Sequence, residues 1–261
     1  AFFLIPAFVF MLIFLYYPFI QNIINSFQHI KYMGTAADKW NAPFYKNYLE
    51  IFKDPKMLIA LKNTGIMIIA TIVGEVGLAI VLSLLVSNIK KGAGFFRVVY
   101  FFPIVISATA LGLLFNLVFL YDKGMINQLL QLIGVLDAGK NELIDWKATH
   151  PMFTMLVPVI WQYVGFYFII LLTGLSGIPE DLYEAAEIDG ASKLQQVRYV
   201  TLPLLRNSIC TCVVLAVTGA LKVFDLPWTM FVNGMSNTWL TGTYMLSLIH
   251  ISEPTRPLYI S

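Results

Sequence analysis

Ile178-Pro179-Glu180-Asp181-Leu182-Tyr183-Glu184-Ala185-Ala186-Glu187-Ile188-Asp189-Gly190-Ala191-Ser192-Lys193-Leu194-Gln195 is a polar stretch between two long apolar runs. Its grammar is that of two short helices joined by a tight turn. Pro179 is pre-set to open the first helix, and Glu180, Asp181 and Glu184 favour its positive N-terminal end. Gly190 ends it, because glycine alone takes the left-handed C-cap conformation without strain. Ser192-Lys193-Leu194-Gln195 reads as a capping box for the second helix. Leu194, Val197 and Val200 recur at three-residue steps, which puts them on one face of the second helix. Pro203 and Arg206 then lead into the next apolar run. Ala185 and Ala186 carry almost no side chain, so another surface can approach the first helix closely. By itself this predicts an amphipathic helix pair at a membrane surface; the plainer alternative is an interfacial connector.

Working outward, the chain is built from apolar runs long enough to cross a bilayer, which takes ~20 residues each. They cover 1–24, 64–87, 98–121, 152–178 and 207–232. The first, third and fourth carry no charge; the second holds Glu75, and the fifth holds Lys222 and Asp225. Aromatics near the ends (Tyr16, Tyr17, Tyr100, Phe101, Tyr121, Trp161, Trp228) suit interfacial belts. Ala108/Gly112 and Ala70/Gly74 are small-x-x-x-small pairs that allow close helix approach. The connectors are 28–62, 88–97, 122–150 and 177–206. They hold five, three, three and three Lys or Arg residues (counting 28–56 in the first), so charge bias alone assigns no orientation.

Composition excludes several classes. The 261 residues are 58% hydrophobic and only 12% charged, against about 25% charged in soluble domains. A soluble enzyme and a disordered chain are both excluded. A net charge of +2 implies no nucleic-acid partner. Cys210 and Cys212 stand alone in an apolar run and make neither a disulfide framework nor a zinc site. They read as lipid-facing or packed thiols. No H-E-x-x-H or G-x-S-x-G occurs. Gly134-Val135-Leu136-Asp137-Ala138-Gly139-Lys140-Asn141 spells most of a phosphate loop, but Asn141 stands where the Mg²⁺-binding hydroxyl is required. The chain is therefore expected to be no enzyme and to bind no metal or cofactor.

Glu184-Ala185-Ala186-x₃-Gly190-x₉-Val200-x-Leu202-Pro203 resembles the EAA loop of permease subunits of binding-protein-dependent ABC importers, with Val200 in place of isoleucine. The surrounding 178–192 resembles the carbohydrate branch, the maltose and glycerol-phosphate type. Asn47-Tyr48-Leu49, Asp54-Pro55, Asn63-Thr64, Phe95-Phe96-Arg97, Phe102-Pro103 and Lys222-Val223-Phe224-Asp225 agree with that branch. The resemblance covers about 1–245. It implies an all-α polytopic bundle of the type I ABC importer permease kind, with five spans present and a sixth, starting near Trp239, truncated. It makes 177–206 a cytoplasmic coupling loop, with Glu184, Ala185, Ala186, Asp189, Gly190, Leu202 and Pro203 seating it on the ATPase. It places 88–97 inside, and 28–62 and 122–150 outside.

The implied partners are a second permease subunit, a cytoplasmic ATPase pair that binds the ATP, an extracytoplasmic solute-binding protein, a carbohydrate and membrane lipid, in a prokaryotic inner membrane. Glu75, Lys222 and Asp225 are the candidates for a translocation path or gate, with structural roles as the alternative. Lys222 and Asp225 are three apart and can pair on a helix. Trp161, Tyr163, Phe166 and Tyr167 can stack on sugar rings or pack the bundle. Two other readings stay open: a permease for a non-sugar solute, and a non-ABC secondary transporter or intramembrane enzyme with its cluster inside the spans. Residues 246–256 resemble the in-frame translation of a transposase sequencing adapter, so 246–261 is expected to be read-through rather than a domain.

Overall fold

The computed structural model describes residues 2–30, 37, 39–89, 92–136, 143–231 and 237–252. The expectations for Lys90 and Lys91, for the phosphate-loop letters from Asp137 to Asn141 and for 253–261 lie outside the described residues. The chain forms two compact units, 1–58 with 244–261, and 59–243.

In the first unit, Phe2–Ser26 is a continuous apolar helix with no buried residue. A helix apolar on every side is stable only where lipid or another apolar surface surrounds it. It ends in a short ribbon in which Gln28–His29 pairs antiparallel with Lys39–Trp40. Asn47, at the start of helix Lys46–Lys53, ties that corner together. Its Nδ2 donates to the carbonyls of Ser26 (2.9 Å) and Gln28 (3.1 Å). The Tyr48 hydroxyl meets Ser26 Oγ at 2.8 Å. Asp54 caps the next helix by accepting from the Lys56 N–H at 2.9 Å, and also accepts from the Tyr244 hydroxyl. Those two hydrogen bonds, Tyr244 first, hold the Asp54 carboxyl below its ordinary range. Helix Thr241–Ser252 crosses residue 246 without a break.

The second unit is organised around helix Pro151–Ser176, which packs against 72–87, 93–105 and 206–222. Two apolar clusters form along it. Val86, Phe168, Leu171, Leu175 and Leu205 lie toward the 177–206 end; Met67, Leu111, Met155, Val159 and Leu226 lie toward the other. Two expected glycine contacts occur. A Cβ on Gly112 would stand 2.9 Å from Thr229, and one on Gly74 would stand 2.6 Å from the tip of Ile160. A third glycine is tighter still: a Cβ on Gly165 would land on the Tyr100 carbonyl, so two backbones touch there.

The helices Pro55–Ser87 and Pro151–Ser176 match expected spans, the former starting nine residues earlier than 64. The third expected span is corrected. Residues 98–121 are no single rod but two limbs, Ala93–Val105 and Ala108–Val118, bent by 96°. Pro103 sits in the closing turn of the first limb, and Ser107 N-caps the second, its Oγ accepting from the Ala110 N–H at 3.2 Å. The carbonyl freed at the break, that of Ile106, accepts from Gln162 Nε2 at 3.0 Å. Broken helices survive at membrane depth only with such compensation. The fifth expected span, 207–232, is met by Arg206–Met230, with a break inside it: Arg206–Lys222 ends where Val223 turns extended (ψ 125°), and Asp225–Met230 follows.

Candidate coupling loop and translocation cavity

The 177–206 segment folds as its sequence dictates, with two corrections. Helix Asp181–Ile188 begins two residues after Pro179, which sits in the turn before it. It ends with Gly190 at φ +79°. The Gly190 N–H donates to the Glu187 carbonyl (3.0 Å) and the Ala191 N–H to that of Ala186 (2.9 Å), the paired bonds of a Schellman motif. Ser192 and Gln195 then form a capping box, with Gln195 Oε1 accepting from the Ser192 N–H at 2.7 Å. The second correction concerns the shared face of the second helix. Leu194 is 79% exposed, while Gln196 and Thr201 are buried. The reason is a wider turn over Val197–Thr201, which closes bonds five residues apart and brings Gln196 and Thr201, not Leu194, to the inside. Thr201 also meets the Tyr183 hydroxyl at 3.2 Å, locking the two helices together.

Charge on the loop is sorted in a way that bears on partners. Lys193 pairs with Glu187 across the turn and holds that carboxyl below its ordinary range. Among the described residues Glu184 and Asp189 make no side-chain hydrogen bond or ion pair, and both are exposed. Ala185 is exposed and Ala186 half-buried; Leu202 is half-buried and Pro203 exposed. Ile188, Leu194 and Tyr199 point apolar groups outward. Beneath the loop, a cavity of about 970 Å³ is lined both by Ser87, Ile89 and Arg97 and by Glu180, Glu184 and Gln196. The connectors 88–97 and 177–206 therefore occupy one end of the unit.

A second cavity, of about 330 Å³, lies among the spans. Glu75, Lys222 and Asp225 all line it, with Tyr163, Phe166 and Tyr167. Glu75 is only 2% exposed and lies in a π-helical turn, Ile72–Gly77, a distortion frequent at functional positions. The Tyr167 hydroxyl lies beside its carboxyl. Lys222 and Asp225 are exposed and stand on either side of the Val223–Phe224 break. The expected pairing of the two is corrected: they share no helical turn and make no ion pair among the described residues, because the break rotates one away from the other. Of the two readings left open for Trp161, packing is the one seen. Trp161 does not line the cavity and stands edge-on to Phe115 at 5.8 Å. Cys210 is exposed and Cys212 buried, the two expected environments.

Sequence reasoning missed Gln162, which both lines this cavity and satisfies the Ile106 carbonyl. A polar residue in an otherwise uncharged run was the available signal. It also missed what Asn63 and Thr64 do. Asn63 Nδ2 donates to the carbonyls of Asn237 (2.8 Å) and Trp239 (3.0 Å), and Thr64 Oγ1 accepts from the Thr241 N–H at 3.1 Å.

A helical bundle with a bent span, a cavity of mixed aromatic and charged lining, and a capped surface helix pair defines a transport subunit. Residues 76–251, more than half of the chain, match the family described as binding-protein-dependent transport system inner membrane component, and the chain belongs to that family. It is 34% identical over 87% of its length to a probable ABC transporter permease protein, YurN, of Bacillus subtilis, covering 77% of that protein. It is 33% identical over 80% of its length to the arabinooligosaccharides transport system permease protein AraP of Halalkalibacterium halodurans, covering 64% of it. It is 28% identical over 92% of its length to the lactose transport system permease protein LacF of Rhizobium radiobacter, covering 78% of it. The fold is that of a bacterial alginate ABC transporter solved in complex with alginate pentasaccharide-bound periplasmic protein. The TM-score is 0.77 at 21% identity, over 94% of this chain and 81% of that one.

Proposed function

We propose that this permease subunit carries a carbohydrate, that the 330 Å³ cavity is its share of the path, and that the 177–206 loop receives the force of a separate ATPase. The observation that carries the reading is convergence. Glu75, Lys222 and Asp225, from separate elements, meet in one cavity with Tyr163, Phe166 and Tyr167. Aromatic faces suit the C–H faces of sugar rings, and carboxyl, hydroxyl and amide groups suit their hydroxyls. The names of AraP and LacF support the sugar assignment.

On this reading Glu184 and Asp189 offer unpaired carboxylates to donors on the ATPase. Ala185 permits close seating, Gly190 sets the angle between the helices, and Leu202-Pro203 leads the motion into the fifth span. ATP is held by the partner, not by this chain. A second permease subunit completes the path, and a solute-binding protein delivers the solute at the face opposite the loop, in the inner membrane of a prokaryote.

The test is uptake in vesicles containing this chain with its second permease, ATPase and solute-binding protein, against a panel of labelled sugars and amino acids. Uptake of a sugar is expected. Glu184→Lys should leave assembly and binding-protein docking intact while removing uptake and stimulated ATP hydrolysis. Uptake confined to amino acids would overturn the solute class, and near-normal transport by Glu184→Lys would overturn the coupling role.

A further inference from the structure

Helix Met125–Leu132, in the connector between the third and fourth spans, buries an amide and exposes an apolar stripe. Of its three polar residues Asn127 faces inward, Gln131 is half-buried and Gln128 is exposed, its Nε2 donating to the Lys123 carbonyl at 3.1 Å. Asn127 is 1% exposed, donates Nδ2 to the carbonyls of Tyr121 and Ile144 (3.0 Å each), and accepts from Trp146 Nε1 at 2.8 Å. All of its side-chain polar atoms are thereby used, and the helix is pinned at a fixed height beside the span. Ile126 and Leu130 are half-buried, and the other apolar residues face outward. Met125, Leu129, Leu132 and Ile133 are exposed, Leu132 by 84%, at the i, i+4, i+7, i+8 spacing of a single helical stripe. No charged residue occurs from 124 to 136, whereas a helix face solvated by water normally carries charge.

The occupant of that face follows from continuity. The preceding limb exposes Leu113 and Leu117, one turn apart, and the turn after it exposes Leu120 and Tyr121; a limb of a membrane span turns such residues to lipid. The exposed apolar residues continue through that turn into Met125 and Leu129. At that turn stands exposed Lys123, at φ 61°, where an ammonium can meet a lipid phosphate. We propose that Met125–Leu132 is an interfacial helix, lying with its apolar stripe at the boundary of headgroups and acyl chains in the leaflet opposite the coupling loop. The choice of leaflet rests on the orientation given under the proposed function; the contact with lipid does not. Through Asn127 and Trp146 the helix holds residue 147, whose Nζ donates to Asn116 (2.8 Å) and stands 5.3 Å from the Phe231 ring. A lipid-anchored helix thus fixes the wall that carries Leu226 into the cavity.

The test uses the assembled complex in vesicles, with Cys210→Ser and Cys212→Ala as background and Leu132→Cys carrying a bimane fluorophore. In lipid brominated near the headgroup the emission should fall about twofold or more, as for a group seated at the acyl boundary. Aqueous iodide should quench it little, and saturating solute-binding protein should not change the result. Ile133→Cys reads the same face should the first variant assemble poorly, and Ser192→Cys is the water-exposed control. Impermeant maleimide on Lys147→Cys and on Ser192→Cys reports sidedness separately, so a wrong orientation is distinguishable from a wrong contact. Iodide quenching with no effect of brominated lipid, or lipid quenching relieved when the binding protein docks, would overturn the proposal.

Discussion

Gly190 holds φ at +79° with open space where a side chain would project, so its requirement is backbone conformation and not room. Left-handed geometry costs a residue bearing a Cβ roughly 1–2 kcal/mol, least for Asn. Uptake by the reconstituted complex should therefore fall in the order Gly190→Asn, Gly190→Ala, Gly190→Val; equal uptake by all three would remove the argument from φ. Asp54 gives a pH prediction. Its folded pKa is lowered, first by the Tyr244 hydroxyl, so it stabilises the fold above the ordinary carboxylate range and that contribution is lost as pH falls through the lowered value. The wild-type melting temperature in detergent should drop more steeply than that of Tyr244→Phe between about pH 5 and 3. Parallel curves would contradict the role of this hydrogen bond.

At the scale of elements, close packing of helices is graded by what stands opposite each glycine. Opposite Gly74 is the movable tip of Ile160; opposite Gly165 is the Tyr100 backbone, which cannot yield without shifting the first limb of the bent span. Gly74→Ala should cost under about 1.5 kcal/mol, and Gly165→Ala about 3 kcal/mol or more. Thermal melting of the purified complex ranks them, and the reverse order would refute the packing described. The bend itself depends on Gln162. Gln162→Leu leaves the Ile106 carbonyl without its donor, a loss of roughly 1–3 kcal/mol. Gln162→Glu keeps the side-chain length but replaces the donor with an acceptor, so it should not rescue stability. Equal stability of wild type and both variants would mean that the break holds without the amide.

At the scale of the molecule, the chain offers apolar surface that needs lipid or a partner against it: Phe2–Ser26 has no buried residue, and Ile188, Leu194 and Tyr199 project from the loop. Expressed without its partners the chain should lose solubility in mild detergent faster than the full complex and hydrolyse no ATP. Hydrolysis by the highly purified chain would contradict the division of labour between subunits. Thiol labelling in sealed vesicles should place Ser192→Cys on the ATPase side and Lys147→Cys on the other. The same side for both would refute the topology.

The sequence by itself determined whatever is local. The Schellman turn at Gly190, the capping box from Ser192 to Gln195 and the spans within Pro55–Ser87 and Pro151–Ser176 depend on glycine's freedom, short-range hydrogen bonds and runs of apolar residues. The bent third span was only half legible. Pro103 and Ser107 mark a break, yet hydropathy runs straight through them, and the compensating donor is Gln162, 56 residues away from the carbonyl it serves. Periodicity misplaced Leu194 because it assumes 3.6 residues per turn, and the turn at Val197–Thr201 is wider. That Glu75, Lys222 and Asp225 line one cavity, that Trp161 does not, and that Lys222 and Asp225 stand apart was decided by tertiary structure alone. Each depends on the rotation of one helix about its axis against another, and that rotation is set by which backbones can touch, as at Gly165 and Tyr100.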